Sequence, residues 1–310
     1  QFMDAKASFI GVDWGTSSFR AFLLTADGRP VDQIAEDAGI KRVSNGAFSD
    51  VLDRVVARWP DIPEGAPVIM CGMIGSAQGW HEVPYITAPE QADVSGLSQG
   101  CFRFSHQDRH ISIIPGLSLA GFDGTIDVMR GEETLYVGAT AGLPEQDRYI
   151  CLPGTHSKWI DARAGRIDSF ATFMTGEMFE LATSHSMLAP VLEAPAELDM
   201  DSFREGLAGA EKQMGLLNQL FSVRAEIVTG RRNGLSGYSF VSGLIIGAEL
   251  SAVAPRIRQS GTPVIIIASG KTAQLYQIGC AHFGIPTSLC DATDAVIAGL
   301  AAIYRFQHCD

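Results

Sequence analysis

Lysine is scarce in this sequence: there are five in 310 residues, and 23 basic side chains in all face 35 acidic ones, a formal charge of −12. That balance repels a phosphate backbone and excludes a broad nucleic-acid or anionic-membrane surface, while leaving room for a small anion at a local basic cluster. The six cysteines (Cys71, Cys101, Cys151, Cys280, Cys290, Cys309) form no CxxC pair and no ligand spacing with histidine. They read as reduced, partly buried thiols of a cytoplasmic protein. No apolar run approaches the roughly 20 residues that span a bilayer. The start lacks a signal peptide's charged and apolar stretches, and Gln1 and Phe2 ahead of Met3 read as an appended remnant. Walker sequences and GxGxxG are also missing.

What is present is a large apolar fraction, 46% against 19% charged, in a chain longer than one core comfortably holds, so two lobes are expected. "IGVDWGTSSFRAFLL" (residues 10–24) places a polar, glycine-containing break between two apolar runs. Asp27-Gly28 then signals a hairpin, a third strand follows near Val31 to Glu36, and Phe48, Val51, Leu52, Val55 and Val56 share one helical face before "PVIMCGMIGS" returns as a strand. The order β-β-β-α-β recurs from "YICLPGTHSKW" onward, with Gly154-Thr155 and Ser157 matching Gly15-Thr16 and Ser18, and Lys158 matching Arg20. Residues 203–225 read as one helix, "YSFVSGLIIGAELSAV" as a buried helix with close packing at Gly243 and Gly247, and "TPVIIIASGKTAQLYQIGCAHFG" as strand, glycine turn and helix. "DATDAVIAGLAAIYRF" closes the chain as a helix capped by Asp291 or Thr293. The lobe boundary falls near residues 143–148.

A hairpin opening with Asp-x-Gly-Thr-Ser suits a phosphate cradle. Glycine turns tightly, backbone N–H groups point inward, and the hydroxyls of Thr16, Ser17 and Ser18 add donors. Asp13 is placed to hold Mg²⁺ through water, since that ion prefers oxygen ligands and keeps much of its hydration shell. A plain strand bulge would account for Gly15 but not for Asp13 beside it. The second turn, with Gly154, Thr155, His156, Ser157 and Lys158, has the cradle without the carboxylate, because Pro153 stands where Asp13 would. "ASGKT" supplies a third glycine turn, with Gly270 and Lys271, opening a helix where phosphate or adenosine could sit; a surface lysine is the plain alternative. A helix starting at Glu132 or Glu133 behind Gly131 offers a general base for an alcohol attacking a γ-phosphate, or simply a carboxylate complementing the helix dipole. Arg130 could meet a substrate carboxylate bidentately. His81 and His156 are equally readable as structural.

Taken together, these stretches resemble the actin, hexokinase and Hsp70 superfamily. "DWGTSSFR" and "PGTHSKW" correspond to its two phosphate motifs, and the last strand-turn-helix to its adenosine motif. Within it, "DWGTSSFRAFLL", "CGMIGSAQGW", "IIPGL", "DVMRGEET", "LPGTHSKW", "FMTGEMFELATSHSML" and "SGLIIGAEL" are similar to the 2-dehydro-3-deoxygalactonokinase family. The resemblance implies an α/β, two-lobed actin-like ATPase fold: duplicated ribonuclease H-like βββαβαβα domains around a central nucleotide cleft. Residues 1–146 would form the first lobe, 147–290 the second, and 291–310 a connector helix. It implies ATP and Mg²⁺ as cofactors, phosphorylation of 2-dehydro-3-deoxy-D-galactonate at O6, lobe closure that excludes water, and an aldolase consuming the product in galactonate catabolism. Asp13 would be the metal ligand and Glu133, ahead of Glu132 and Asp127, the base. Ser76, Gln78, Trp80 and Arg130 would face the sugar, with Arg20 a second partner for its carboxylate; Trp80 and Trp14 also fit a core. The superfamily's usual aspartates are replaced at Pro153 and at the glutamate pair. A kinase for the gluconate epimer, and a non-kinase actin-like ATPase or binding protein, remain open on these residues, as does a homodimer.

Overall fold

A computed structural model describes residues 6–308 of the chain; Cys309 lies outside them. β1 (Phe9–Trp14) is apolar almost throughout because it runs in the middle of a sheet, covered on both faces. β2 (Phe19–Leu24) and β3 (Pro30–Glu36) return antiparallel, with Asp13 directly opposite Arg20. α1 (Phe48–Val56) buries Phe48, Val51, Leu52 and Val55, and β4 (Val68–Cys71) then lies parallel to β1 on its other side, with Cys71 beside Asp13. With α2 (Val94–Gln99), β5 (Phe102–His106) and β6 (Arg109–Ile113) the sheet order is β3-β2-β1-β4-β6-β5. A two-stranded sheet, β7 (Leu117–Ala120) with β8 (Ile126–Met129), leads into α3 (Glu132–Thr140).

The second sheet begins with β9 (Arg148–Leu152), β10 (Ser157–Arg163) and β11 (Arg166–Phe173). α4 (Thr175–Glu180), running on into a π turn at Leu181–His185, precedes α5 (Met200–Gly209), α6 (Gly215–Val228) and α7 (Gly234–Ser260). β12 (Val264–Ile267), α8 (Gly270–His282), β13 (Thr287–Cys290) and α9 (Ala292–His308) complete the chain. The order β11-β10-β9-β12-β13, with β12 parallel to β9, reproduces β3-β2-β1-β4-β6 of the first sheet. The repeat read from two Gly-Thr turns is therefore a repeat of topology.

Contacts divide the chain into two compact units. One runs to Asp147 and takes in Ile160–Phe170 and the chain from Cys290; the other comprises Arg148–Trp159 and Ala171–Leu289. The single helix expected over 203–225 is instead two, α5 and α6, broken between Gly209 and Gly215. By length and composition α7 could cross a membrane, yet 72% of its most apolar window is buried inside the protein. It is a core helix, and Gly243 is required there: a Cβ would lie 1.9 Å from the Phe203 carbonyl oxygen on α5. At α9, Asp291 is the cap, accepting from the N–H groups of Thr293 and Asp294 at 2.8 and 3.1 Å.

α9 closes the first unit against α3 by direct backbone contact. A Cβ on Gly138 would sit 1.8 Å from the Ala295 oxygen, and one on Gly299 2.0 Å from the Thr134 oxygen. A methyl group at Gly299 must push the helices apart, so Gly299→Ala should cost about 2–3 kcal/mol. Denaturant unfolding checks this, and an unchanged midpoint would contradict so close an approach.

Candidate active site

Three stretches of the first unit converge at the ends of β1 and β4. The turn after β1 is held from outside: the carbonyls of Gly15, Thr16 and Ser17 accept the N–H groups of Ile40, Lys41 and Gly39 at 3.0, 3.2 and 3.3 Å. Ser17 and Ser18 are exposed at its tip, and Thr16 is partly so. Asp13 Oδ2 accepts two bonds from Arg20, Nη2 at 2.6 Å and Nε at 3.1 Å, while Arg20 Nη1 reaches Thr293 Oγ1 at 3.1 Å. Arg20 is thus engaged with Asp13 and the start of α9. Asp13 Oδ1 has the Cys71 thiol at 3.9 Å. Burial, then the charges of Asp13 and Glu133, push that thiol well above its ordinary range, so it stays a neutral donor.

Glycine is essential to this junction. Gly72 has φ +93, and a Cβ there would lie 2.7 Å from the Trp14 oxygen; Gly131 has φ +116, and its Cβ would lie 3.3 Å from Gly72 Cα. Directly behind Gly131 the two glutamates differ in burial and in bonding. Glu133 is 0% exposed, and its two oxygens accept the Gly131 N–H at 2.7 and 3.0 Å, so it caps its own helix start. Burial, reinforced by the charge of Glu132, raises its carboxyl from 4.5 to about 8. Glu132 is partly exposed, with Oε2 accepting the Arg130 N–H at 3.1 Å. Glu132 is thus the more exposed of the two carboxylates, and Glu133 the enclosed one.

The expected sugar-side residues fare unequally. Arg130 Nη2 donates to the Val83 oxygen at 2.8 Å, and its guanidinium lies 4.3 Å over the Tyr85 ring. Its Nε and Nη1 are shielded and have no hydrogen-bond partner. Two shielded donors without a partner are a deficit that a bound acceptor can make good. Gln78 is exposed, but the Ser76 hydroxyl is used on Met73 at 2.7 Å. Trp80 packs edge-on against Phe104 and His106, and also stacks on His81. Trp14 is wholly buried, as the core alternative held.

In the second unit, Gly154, Thr155 and His156 form an exposed turn between β9 and β10. His156 Nε2 pairs with Glu177 Oε2 at 2.5 Å, and the Glu177 N–H donates to Thr155 at 3.0 Å. Ser157 and Lys158 do not share that exposed face. Both are buried in β10, Ser157 against the Tyr276 hydroxyl at 2.8 Å and Lys158 donating to Thr172 Oγ1 at 2.7 Å. Gly270 opens α8 and Lys271 is exposed, reaching the Ala196 oxygen at 3.3 Å.

Between this turn and the first turn of α8 lies a cavity of about 360 Å³, whose walls include Gly154, Thr155, Thr175, Ser242, Thr272 and Tyr276. Its mixture of apolar wall and few hydroxyls suits a heteroaromatic base. Beneath it, Glu249 of α7, 2% exposed, accepts from Trp159 Nε1 at 2.7 Å, from the Tyr276 hydroxyl at 2.8 Å and from Thr175 Oγ1. Burial raises this carboxyl, and the three donated bonds oppose the rise. Sequence reading passed over Thr175, Thr272 and Glu249. A lone acid within the apolar run "SGLIIGAEL" was the available signal.

Two sheets of repeated order, each headed by a Gly-Thr hairpin, define the actin-like ATPase fold with duplicated ribonuclease H-like domains. At 12% identity the fold is shared with component A of the (R)-2-hydroxyglutaryl-CoA dehydratase of Acidaminococcus fermentans, with a TM-score of 0.50 over 96% of this chain and 97% of that one. A crystal structure from Sinorhizobium meliloti, designated a candidate 2-dehydro-3-deoxygalactonokinase, matches with a TM-score of 0.89 and 32% identity over 97% of this chain and 100% of that one. The 2-keto-3-deoxy-galactonokinase family profile matches residues 13–303, and the chain belongs to that family of carbohydrate kinases. It is 34% identical to the 2-dehydro-3-deoxygalactonokinase of Escherichia coli K12, over 96% of this chain and 97% of the relative. It is also 34% identical, over 98% of both chains, to a Rhizobium meliloti protein described as a probable enzyme of that kind.

Because the Glu133 carboxyl rises from 4.5 to about 8 on folding, the native state binds the extra proton between those values. Its contribution to stability is complete below about pH 4.5 and is lost as pH climbs through 8. Unfolding midpoints of Glu133→Gln should therefore fall less steeply than wild type from pH 5 to pH 8, and parallel slopes would refute this assignment.

Proposed function

We propose that the chain transfers the γ-phosphoryl group of ATP to O6 of 2-dehydro-3-deoxy-D-galactonate, giving 2-dehydro-3-deoxy-6-phosphogalactonate. The observation that carries this reading is full-length similarity to kinases bearing that name, in a chain that also has the acid, the turns and the guanidinium the reaction needs. In the second unit the cavity beside Gly154 and Thr155 takes the nucleotide. In the first unit the turn at Gly15, Thr16, Ser17 and Ser18 meets phosphate with hydroxyls and N–H groups, its first three carbonyls being tied away. Glu132 accepts the proton of the attacking hydroxyl, Glu133 holds the glycine turn that aims it, and Arg130 meets the sugar's carboxylate with a donor that has no partner within the protein.

Among the described residues there is no cluster of three or more acidic, His or Cys ligands for a metal. That fits Mg²⁺, which in phosphoryl-transfer sites is held by one or two carboxylates, water and the substrate's own phosphates. Asp13, through Oδ1, is the residue that would hold it; the ion would supply charge neutralisation on the phosphates. The five described cysteines are all unpaired, which supports a reducing, cytoplasmic setting.

ADP release with Mg-ATP should rise strongly on adding 2-dehydro-3-deoxygalactonate and not its gluconate epimer; stimulation by neither sugar would refute the kinase reading. Glu132→Gln should lower turnover by about 10²-fold or more, the usual worth of a general base. A near-normal rate in that variant would move the proton to Glu133. Arg130→Lys should raise the KM for the acid sugar about tenfold, because a lysine ammonium does not place its donors where the guanidinium does, leaving the KM for ATP alone; equal effects on both constants would remove Arg130 from the carboxylate.

A further inference from the structure

The polar assembly buried under the Gly154–His156 turn takes no part in the chemistry above. We propose that Glu249 is a positioning residue for nucleotide binding, fixing the cavity walls Thr175 and Tyr276 against the strand that carries the second turn. The inference rests on the reading of that cavity as the nucleotide site.

One carboxylate here ties together four elements: Trp159 comes from β10, Thr175 from α4 and Tyr276 from α8, while Glu249 itself sits on α7. Trp159 can only donate, and Thr175 and Tyr276 both have a proton to give, so an ionised carboxylate satisfies all three at once. With its proton given to Glu249, the Tyr276 oxygen accepts from Ser157 at 2.8 Å, which extends the network to the first residue of β10. Thr175 and Tyr276 are also walls of the cavity.

The coupling to the turn is steric. The residue after Thr175 is Gly176, where a Cβ would lie 2.6 Å from the Gly154 oxygen and 2.8 Å from Thr155 Cα. The next residue, Glu177, donates its N–H to Thr155 at 3.0 Å. Thr175 therefore cannot shift without carrying the phosphate turn with it. Keeping a carboxylate in such a place has a desolvation cost that an apolar brace would avoid. The return is geometric: the same two oxygens set the positions of a hydroxyl on each side of the ligand space.

Glu249→Gln preserves size and burial but offers one acceptor oxygen and an NH₂ group, forcing a hydroxyl to turn round. ATP binding, KM values for ATP and acid sugar, and unfolding midpoints should be measured on the full chain for wild type, Glu249→Gln, Tyr276→Phe and Thr272→Trp. Glu249→Gln should weaken ATP about tenfold and Tyr276→Phe about threefold, in line with the loss of one buried hydrogen bond, with the KM for the sugar unchanged. Lower unfolding midpoints with ATP constants within about twofold of wild type would reduce Glu249 to a structural brace. If Glu249→Gln does not fold, Tyr276→Phe, which lacks a single hydroxyl, decides by the same criterion. Thr272→Trp fills the cavity and tests the underlying reading separately. Undiminished ATP binding in that variant would mean the nucleotide lies elsewhere and would overturn both.

Discussion

The first unit depends on a place where side chains are excluded. Gly72 and Gly131 meet backbone to backbone, with Trp14 pressed against Gly72 from the other side. The end of β1 is thereby brought closer to β4 than a Cβ at Gly72 would permit, and α3 starts in tight contact with the same glycine. Asp13, Cys71, Glu132 and Glu133 stand immediately beside these contacts, so their spacing is set by main chain and not by rotamers. Burial, and then the neighbouring acids, raise two of these groups: Glu132 acts on Glu133, and Asp13 and Glu133 act on Cys71, while Asp13 is itself paired with Arg20.

The second unit solves a similar positioning problem by a different route. Its turn carries no carboxylate, since Pro153 occupies that place, and the anchoring acid lies underneath, on α7. Charge is used above the sheet in one unit and below the turn in the other. Topological repetition has not meant repetition of chemistry.

Much of the fold was legible because its breaks are chemically loud. Asp-x-Gly-Thr-Ser between apolar runs has few structural meanings, the face of α1 follows helical periodicity, and the small residues of α7 announce close packing. What stayed hidden was hidden for physical reasons. "THSKW" looks polar enough to be all turn, yet Ser157 and Lys158 belong to a strand, where Ser157 is satisfied by the distant Tyr276 and Lys158 by Thr172 of the next strand. The α5–α6 break lies in a segment without proline, where helix-favouring Lys212, Gln213 and Met214 mask it. That Glu133 turns inward while Glu132 stays more open goes with a bond to the Gly131 N–H, which no periodicity reports.

The seating of α3 on α9 bears on the order in which the molecule is made. The first sheet and α3 are synthesised early, but the glycine-to-backbone contacts that seat α3 need Ala295 and Gly299, which follow the whole second unit in the chain. The first unit therefore emerges from the ribosome unfinished, and it waits for the whole second unit to be synthesised before its carboxylates gain their backing helix. Nascent chains should acquire the Asp13 hairpin long before the start of α3 gains its backing helix.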